Sequence, residues 1–154
     1  MTRAPGQARA AARVRVAATR DGLERVFALY DRFTRSHRVS DRVRRDMYVA
    51  LEEIVSNVVR HGAATRPVHV NVSLHLDRAA LTARIVDDGP AFDPFSVAAP
   101  DVSKPIADRA IGGLGVLFVD KLTDEHAYAR RRDRNCVVLR RRISAARRAR
   151  SRRR

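Results

Sequence analysis

Five apolar residues at every second position, Val68, Val70, Val72, Leu74 and Leu76, alternate with His69, Asn71, Ser73 and His75. A period of two fits a β-strand with one buried face, because successive side chains of a strand point to opposite sides. Asp77-Arg78 then offers a turn, and Leu81, Ala83 and Ile85 alternate with Thr82 and Arg84. Two such runs joined by a short turn predict an antiparallel hairpin that needs covering on one side only. Whatever else the chain does, it must lay helices over that face.

Two segments are patterned to do so. Leu23, Val26, Phe27, Tyr30 and Phe33 recur at three- and four-residue spacing after Thr19 or Asp21, either of which can cap the helix. Glu24, Arg25, Asp31 and Arg35 fall on its opposite side. A second helix starts at Ser40 or Asp41 and runs to about His61, with Gly62 as its stop. Its apolar face is Val43, Met47, Leu51, Ile54, Val55 and Val58. Before both, Arg13–Ala17 alternates and predicts a short edge strand with Val14 and Val16 inward. After the hairpin, residues 87–111 collapse into Gly, Pro and small residues, and a loop of that length in so small a domain is usually functional or mobile. A helix containing Val116, Leu117, Val119 and Leu122 follows, then strands near 125–130 and 135–140. The order β-α-α-β-β-loop-α-β-β predicts an α+β fold, a two-layer α/β sandwich whose mixed, mostly antiparallel sheet carries helices on one face. It is not the βαβ order of a doubly wound nucleotide fold.

The chain of 154 residues suits one domain, here taken as residues 11–142. Its net charge of +15 suggests nucleic acid until the charge is located. Residues 1–20 hold five Arg and residues 140–154 hold nine, with no acid in either, so the ends supply fourteen of the fifteen charges. Residues 1–10 read as a flexible basic arm and 143–154 as an Arg-rich disordered tail. The near-neutral body, with 5% aromatic residues, is not patterned for specific nucleic-acid binding. No apolar run approaches a membrane span and no secretory h-region follows the N-terminus, so a cytoplasmic location is expected. One cysteine, Cys136, permits no internal disulfide; flanked by Val137, Val138 and Leu139, it reads as a buried thiol.

Three clusters could carry chemistry. Glu53, Asn57 and His61 lie four residues apart, so a helix places them in one polar stripe. An Asn oxygen can ligate Mg²⁺, and a carboxylate one turn away can take a proton from an attacking hydroxyl. Asp87-Asp88-Gly89 ends the hairpin's second strand, where a fixed carboxylate can accept a hydrogen bond from an exocyclic amine and Gly89 lets a flat base come close. Gly112-Gly113-Leu114-Gly115 opens a helix, where converging N–H groups favour phosphate. Each is weak alone: a solvated helix face, an Asx turn and a geometric glycine cluster would look the same. Glu52 reads as a solvated partner for a nearby Arg. His69 and His75 have no third ligand to make a metal site.

Their order is more specific than any one of them. Glu-x-x-x-Asn-x-x-x-His-Gly, a strand-ending Asp-x-Gly, then Gly-x-Gly before a helix resemble the N, G1 and G2 boxes of the GHKL ATPases and their Bergerat-type ATP-binding fold. Within that superfamily ALEEIVSNVVRHG, IVDDGPAFDP, GGLGVLFVDKLTDEHAYAR and NCVVLRRR resemble the anti-sigma-factor serine/threonine kinases, over roughly residues 10–142. The resemblance implies ATP and Mg²⁺ as cofactors. It implies Glu53 as general base, Asn57 as magnesium ligand, Asp87 as the adenine-recognising carboxylate and Gly89 beside it. Gly112, Gly113, Leu114 and Gly115 would form the phosphate-contacting end of a lid spanning 94–111, from which Arg109 or Lys104 could reach a phosphate. His61 is expected to end its helix and pack locally. The implied partners are an anti-anti-sigma (STAS-domain) protein that accepts the phosphate, an RNA polymerase sigma factor, and a second copy of the chain. A GHKL module without STAS kinase activity is the alternative, and an Arg-arm nucleic-acid binder a more distant one.

Overall fold

The computed structural model describes residues 9–62, 66–96 and 114–143. In chain order these form β1 (Ala10–Ala17), α1 (Arg20–Ser36), α2 (Asp41–Gly62), β2 (His69–Leu76), β3 (Ala80–Asp87), α3 (Leu114–Leu122), β4 (Glu125–Arg131) and β5 (Arg134–Arg142). The five strands make one sheet in the order β1-β2-β3-β5-β4, and every pairing in it is antiparallel. β1 is an edge strand as its alternation predicts, but it begins at Ala10, three residues before the alternation becomes visible. Alanine has no side chain large enough to reveal a phase, which is why the start was hidden. The β4–β5 hairpin turns on Arg132 and Asp133, both with positive φ (49° and 59°), the backbone that two-residue turns between right-twisted strands require.

The helices cover one face of this sheet, and among the described residues none covers the other. Val16, Val70, Val72, Leu74, Leu81, Ala83, Ile85, Val137 and Leu139 form the buried face. Val26, Tyr30 and Phe33 of α1 and Met47, Leu51, Ile54 and Val55 of α2 close onto it. Val119 joins them from α3. The helix starts follow local chemistry. The Thr19 hydroxyl accepts from Gly22 N–H at 3.1 Å, and the Ser40 carbonyl takes the first bond of α2 from Arg44 N–H. Tyr30 crosses between the two helices by donating its hydroxyl to the Arg44 carbonyl at 2.8 Å.

Two expectations change. Cys136 is half-buried on the uncovered face, out of phase with Val137 and Leu139. It pairs across the sheet with Val86 and Ala129 rather than with the core. Glu52 is exposed as expected, but it has no ion-pair partner among the described residues.

Candidate functional site

The same period-two phase that builds the core also aims the first functional group. β3 points Leu81, Ala83 and Ile85 at the helices, and the next residue in that phase is Asp87. A carboxylate thus lies where a core residue would be, only 6% exposed. Its register partner on β5 is Asn135, also buried. The Asn135 amide donates to Asp87 Oδ1 (2.9 Å) and to the Pro90 carbonyl (2.8 Å). Its oxygen accepts from Tyr128 OH (2.9 Å), Arg130 Nη1 (2.9 Å) and Phe92 N–H (3.3 Å). Gly89 N–H closes an Asx turn onto Asp87 Oδ1 at 2.9 Å. Both bonds use Oδ1, which leaves Oδ2 free of partners among the described residues. Burial raises the Asp87 carboxyl above the usual carboxylate range, and the bonds from Asn135 and Gly89 only partly offset this.

The second group sits on α2. Helical spacing brings Glu53 and Asn57 onto one stripe, and the Asn57 amide donates to Glu53 Oε1 at 3.0 Å. Arg60, one turn further, donates to Asn57 Oδ1 at 3.0 Å and stands 3.6 Å from Glu53 Oε1. His61, in the last turn of α2, is stacked on Phe92 with ring centres 5.3 Å apart. Asn57, His61, Asp87, Phe92, Asn135 and Val137 line a single cleft of about 240 Å³ between α2 and the end of the sheet. Apolar walls with a few convergent polar groups are what a flat heterocycle requires.

Gly115 opens the first turn of α3, where a Cβ would overlap the Glu53 carboxyl group. A side chain at this position would have to push the Glu53 carboxyl, the free end of a flexible chain, aside. Leu114 begins α3. Gly112, Gly113, Arg109 and Lys104 lie outside the described residues, as do residues 97–111 of the expected lid and all but the innermost residues of the two basic arms.

The described sequence candidates are thus gathered at one end of the molecule. The residue that sequence reasoning passed over is Asn135. It belongs to no motif, and its only signal was a polar residue in the buried phase of β5. The Glu53 and Asn57 oxygens form a hard, oxygen-rich pair that already holds the cationic Arg60 guanidinium, so the donor set fits a divalent cation. Among the described residues no three His, Cys, Asp or Glu side chains gather to cage a metal. A magnesium ion here would take its remaining ligands from phosphate and water. No helix among the described residues is long and apolar enough to cross a membrane.

Comparison with known proteins agrees with this architecture. The serine/threonine-protein kinase BtrW of Bordetella bronchiseptica is 26% identical over 103 residues, covering 66% of this chain and 72% of that protein. The solved RsbU and RsbW domains of Rv1364c from Mycobacterium tuberculosis superpose with a TM-score of 0.60 at 18% identity, over 87% of this chain. The chain spans about a third of that protein's length, 32%, so the likeness speaks for the fold. The histidine kinase-like ATPase domain family matches residues 9–141. That span takes in all but the last residue of the sheet, the three described helices and the cleft, and the chain belongs to the histidine kinase-like ATPase domain family, whose membership implies ATP binding.

Proposed function

We propose that the protein is an ATP-dependent serine/threonine kinase that acts as an anti-sigma factor and phosphorylates a STAS-domain partner. The observation that carries this reading is the hydrogen-bonded Glu53–Asn57 pair beside the cleft that Asp87 lines. In it, Asp87 Oδ2 accepts a hydrogen bond from the exocyclic amine of adenine, with Gly89 alongside the ring. Asn57 Oδ1 would hold Mg²⁺, which would supply neutralisation of phosphate charge. Gly112, Gly113, Leu114, Gly115 and Arg109 are assigned to phosphate contact by the family resemblance. Glu53 takes the proton of the acceptor serine as its Oγ attacks the γ-phosphorus; the P–O bond to ADP breaks and ADP leaves. The likeness to a named serine/threonine kinase supports the phosphotransfer. The partner pair, a STAS protein and a sigma factor, and action as a homodimer rest on the family resemblance.

The test is incubation with Mg-[γ-³²P]ATP and the STAS proteins of the same genome. Wild type is expected to label at least one, and Glu53→Gln and Asn57→Ala to reduce the rate by about 10²-fold or more. Wild-type rates from Asn57→Ala would remove the magnesium assignment. ATP binding without transfer to any STAS protein would leave a regulatory ATP-binding module in place of the kinase.

A further inference from the structure

We propose that the acceptor serine or threonine enters through a second groove on the far side of the α2 stripe, between α2, α3 and the start of α1. The inference rests on the kinase reading above. This groove, about 440 Å³, is lined by Leu23, Val49, Glu52, Glu53, Val59 and Phe118 among others. Glu53 lines this groove and not the nucleotide cleft, whereas Asn57 lines the cleft and not the groove. The two side chains meet across a single hydrogen bond of 3.0 Å. α2 therefore presents the base to one cavity and the metal ligand to the other.

The chemistry requires that separation. In phosphoryl transfer the attacking and leaving oxygens stand roughly in line on opposite sides of phosphorus. An acceptor following ATP through the same cleft would meet the leaving-group side. The second groove brings a hydroxyl to Glu53 from the other direction. Its walls suit a protein segment. Tyr48, Val49 and Phe118 are the large apolar side chains exposed among the described residues, at 39%, 39% and 47%. Two of them, Val49 and Phe118, line this groove. A docked segment would remove this apolar surface from water. Glu52 at the rim has no ion-pair partner among the described residues, so the matching segment carries a basic residue there. The occupant is thus a protein segment with a hydroxyl residue, apolar neighbours for Val49 and Phe118, and a Lys or Arg opposite Glu52.

The experiment uses the STAS protein that wild type labels best, with Val49→Asp, Phe118→Ser and Glu52→Lys in the full chain. Acceptor KM and kcat are read from ³²P transfer, and ATP affinity from titration with a fluorescent ATP analogue. Each variant is expected to raise acceptor KM about tenfold, with ATP affinity within about twofold of wild type. Glu52→Lys is a fully tolerable surface change and guards against misreading a folding defect at Phe118. Unchanged KM in all three variants overturns the groove, and so does a parallel loss of ATP affinity, which would assign these residues to the nucleotide or to the chain's own lid. If wild type labels no STAS protein, the kinase reading fails, and this inference with it.

Discussion

The two polar centres beside the cleft are built in opposite ways. Asp87 is buried, its Oδ1 is fixed by a backbone N–H and an amide, and the amide is itself held by Tyr128, Arg130 and Phe92. Glu53 and Asn57 are part-exposed, and their partners are each other and Arg60, whose side chain is 56% exposed. The first centre cannot rearrange without breaking a buried network. The second is held by bonds that water can replace. Under the proposed kinase reading this division fits: a base-recognising carboxylate gains from being fixed beforehand, while a general base and a metal ligand would exchange partners during turnover.

The sharpest way to break the contrast is Asn135→Ala. It removes one of the two bonds to Asp87 Oδ1 and takes the acceptor from the Tyr128 hydroxyl and the Phe92 N–H, which should cost about 2–4 kcal/mol and lower Tm by roughly 10 °C in a thermal melt. A fall of only a degree or two would mean the hub is not what holds this end of the sheet.

Asp87→Asn separates fixing from recognition. The amide oxygen still accepts from Gly89 and Asn135, so the melt should be unchanged or slightly higher, while ATP affinity falls roughly 10- to 100-fold. The carboxyl's raised value also sets a pH signature. The folded state binds this proton more tightly than the unfolded chain, so Asp87 costs stability at neutral pH. That cost is relieved as pH falls from above the raised value toward the ordinary carboxylate range. ATP affinity runs the other way and weakens over the same interval as Asp87 protonates. Calorimetric titrations across that interval should show both slopes in wild type and neither in Asp87→Asn.

The smallest expected effect lies on α2. Arg60→Ala removes only exposed, water-screened contacts, so stability should change by no more than about 0.5 kcal/mol in denaturant unfolding. A loss several times larger would show the stripe to be as rigid as the hub.

How much of this was legible depended on phase. The β2–β3 hairpin and the faces of α1 and α2 announced themselves because large apolar residues repeat at clear periods. Glu53 and Asn57 were readable as neighbours from their spacing alone. Asp87 was readable as a strand-ending acid, but its burial was not, because a motif carries no information on depth. Cys136 was misread and Asn135 passed over for one reason: in Asn-Cys-Val-Val-Leu-Arg either phase looks plausible, and only the register against β3 decides it. That register turns Asn135 inward and Cys136 outward. The pair of cavities was beyond sequence reading, since it depends on where α3 lies against α2, and no local pattern sets that.

The contact between Gly115 and Glu53 bears on substitution. A side chain at position 115 would have to push the Glu53 carboxyl aside, and with it the bond to Asn57. The carboxyl is the free end of a flexible chain, so the helix could still pack. What such a change would disturb is the place of the acid rather than the fold around it.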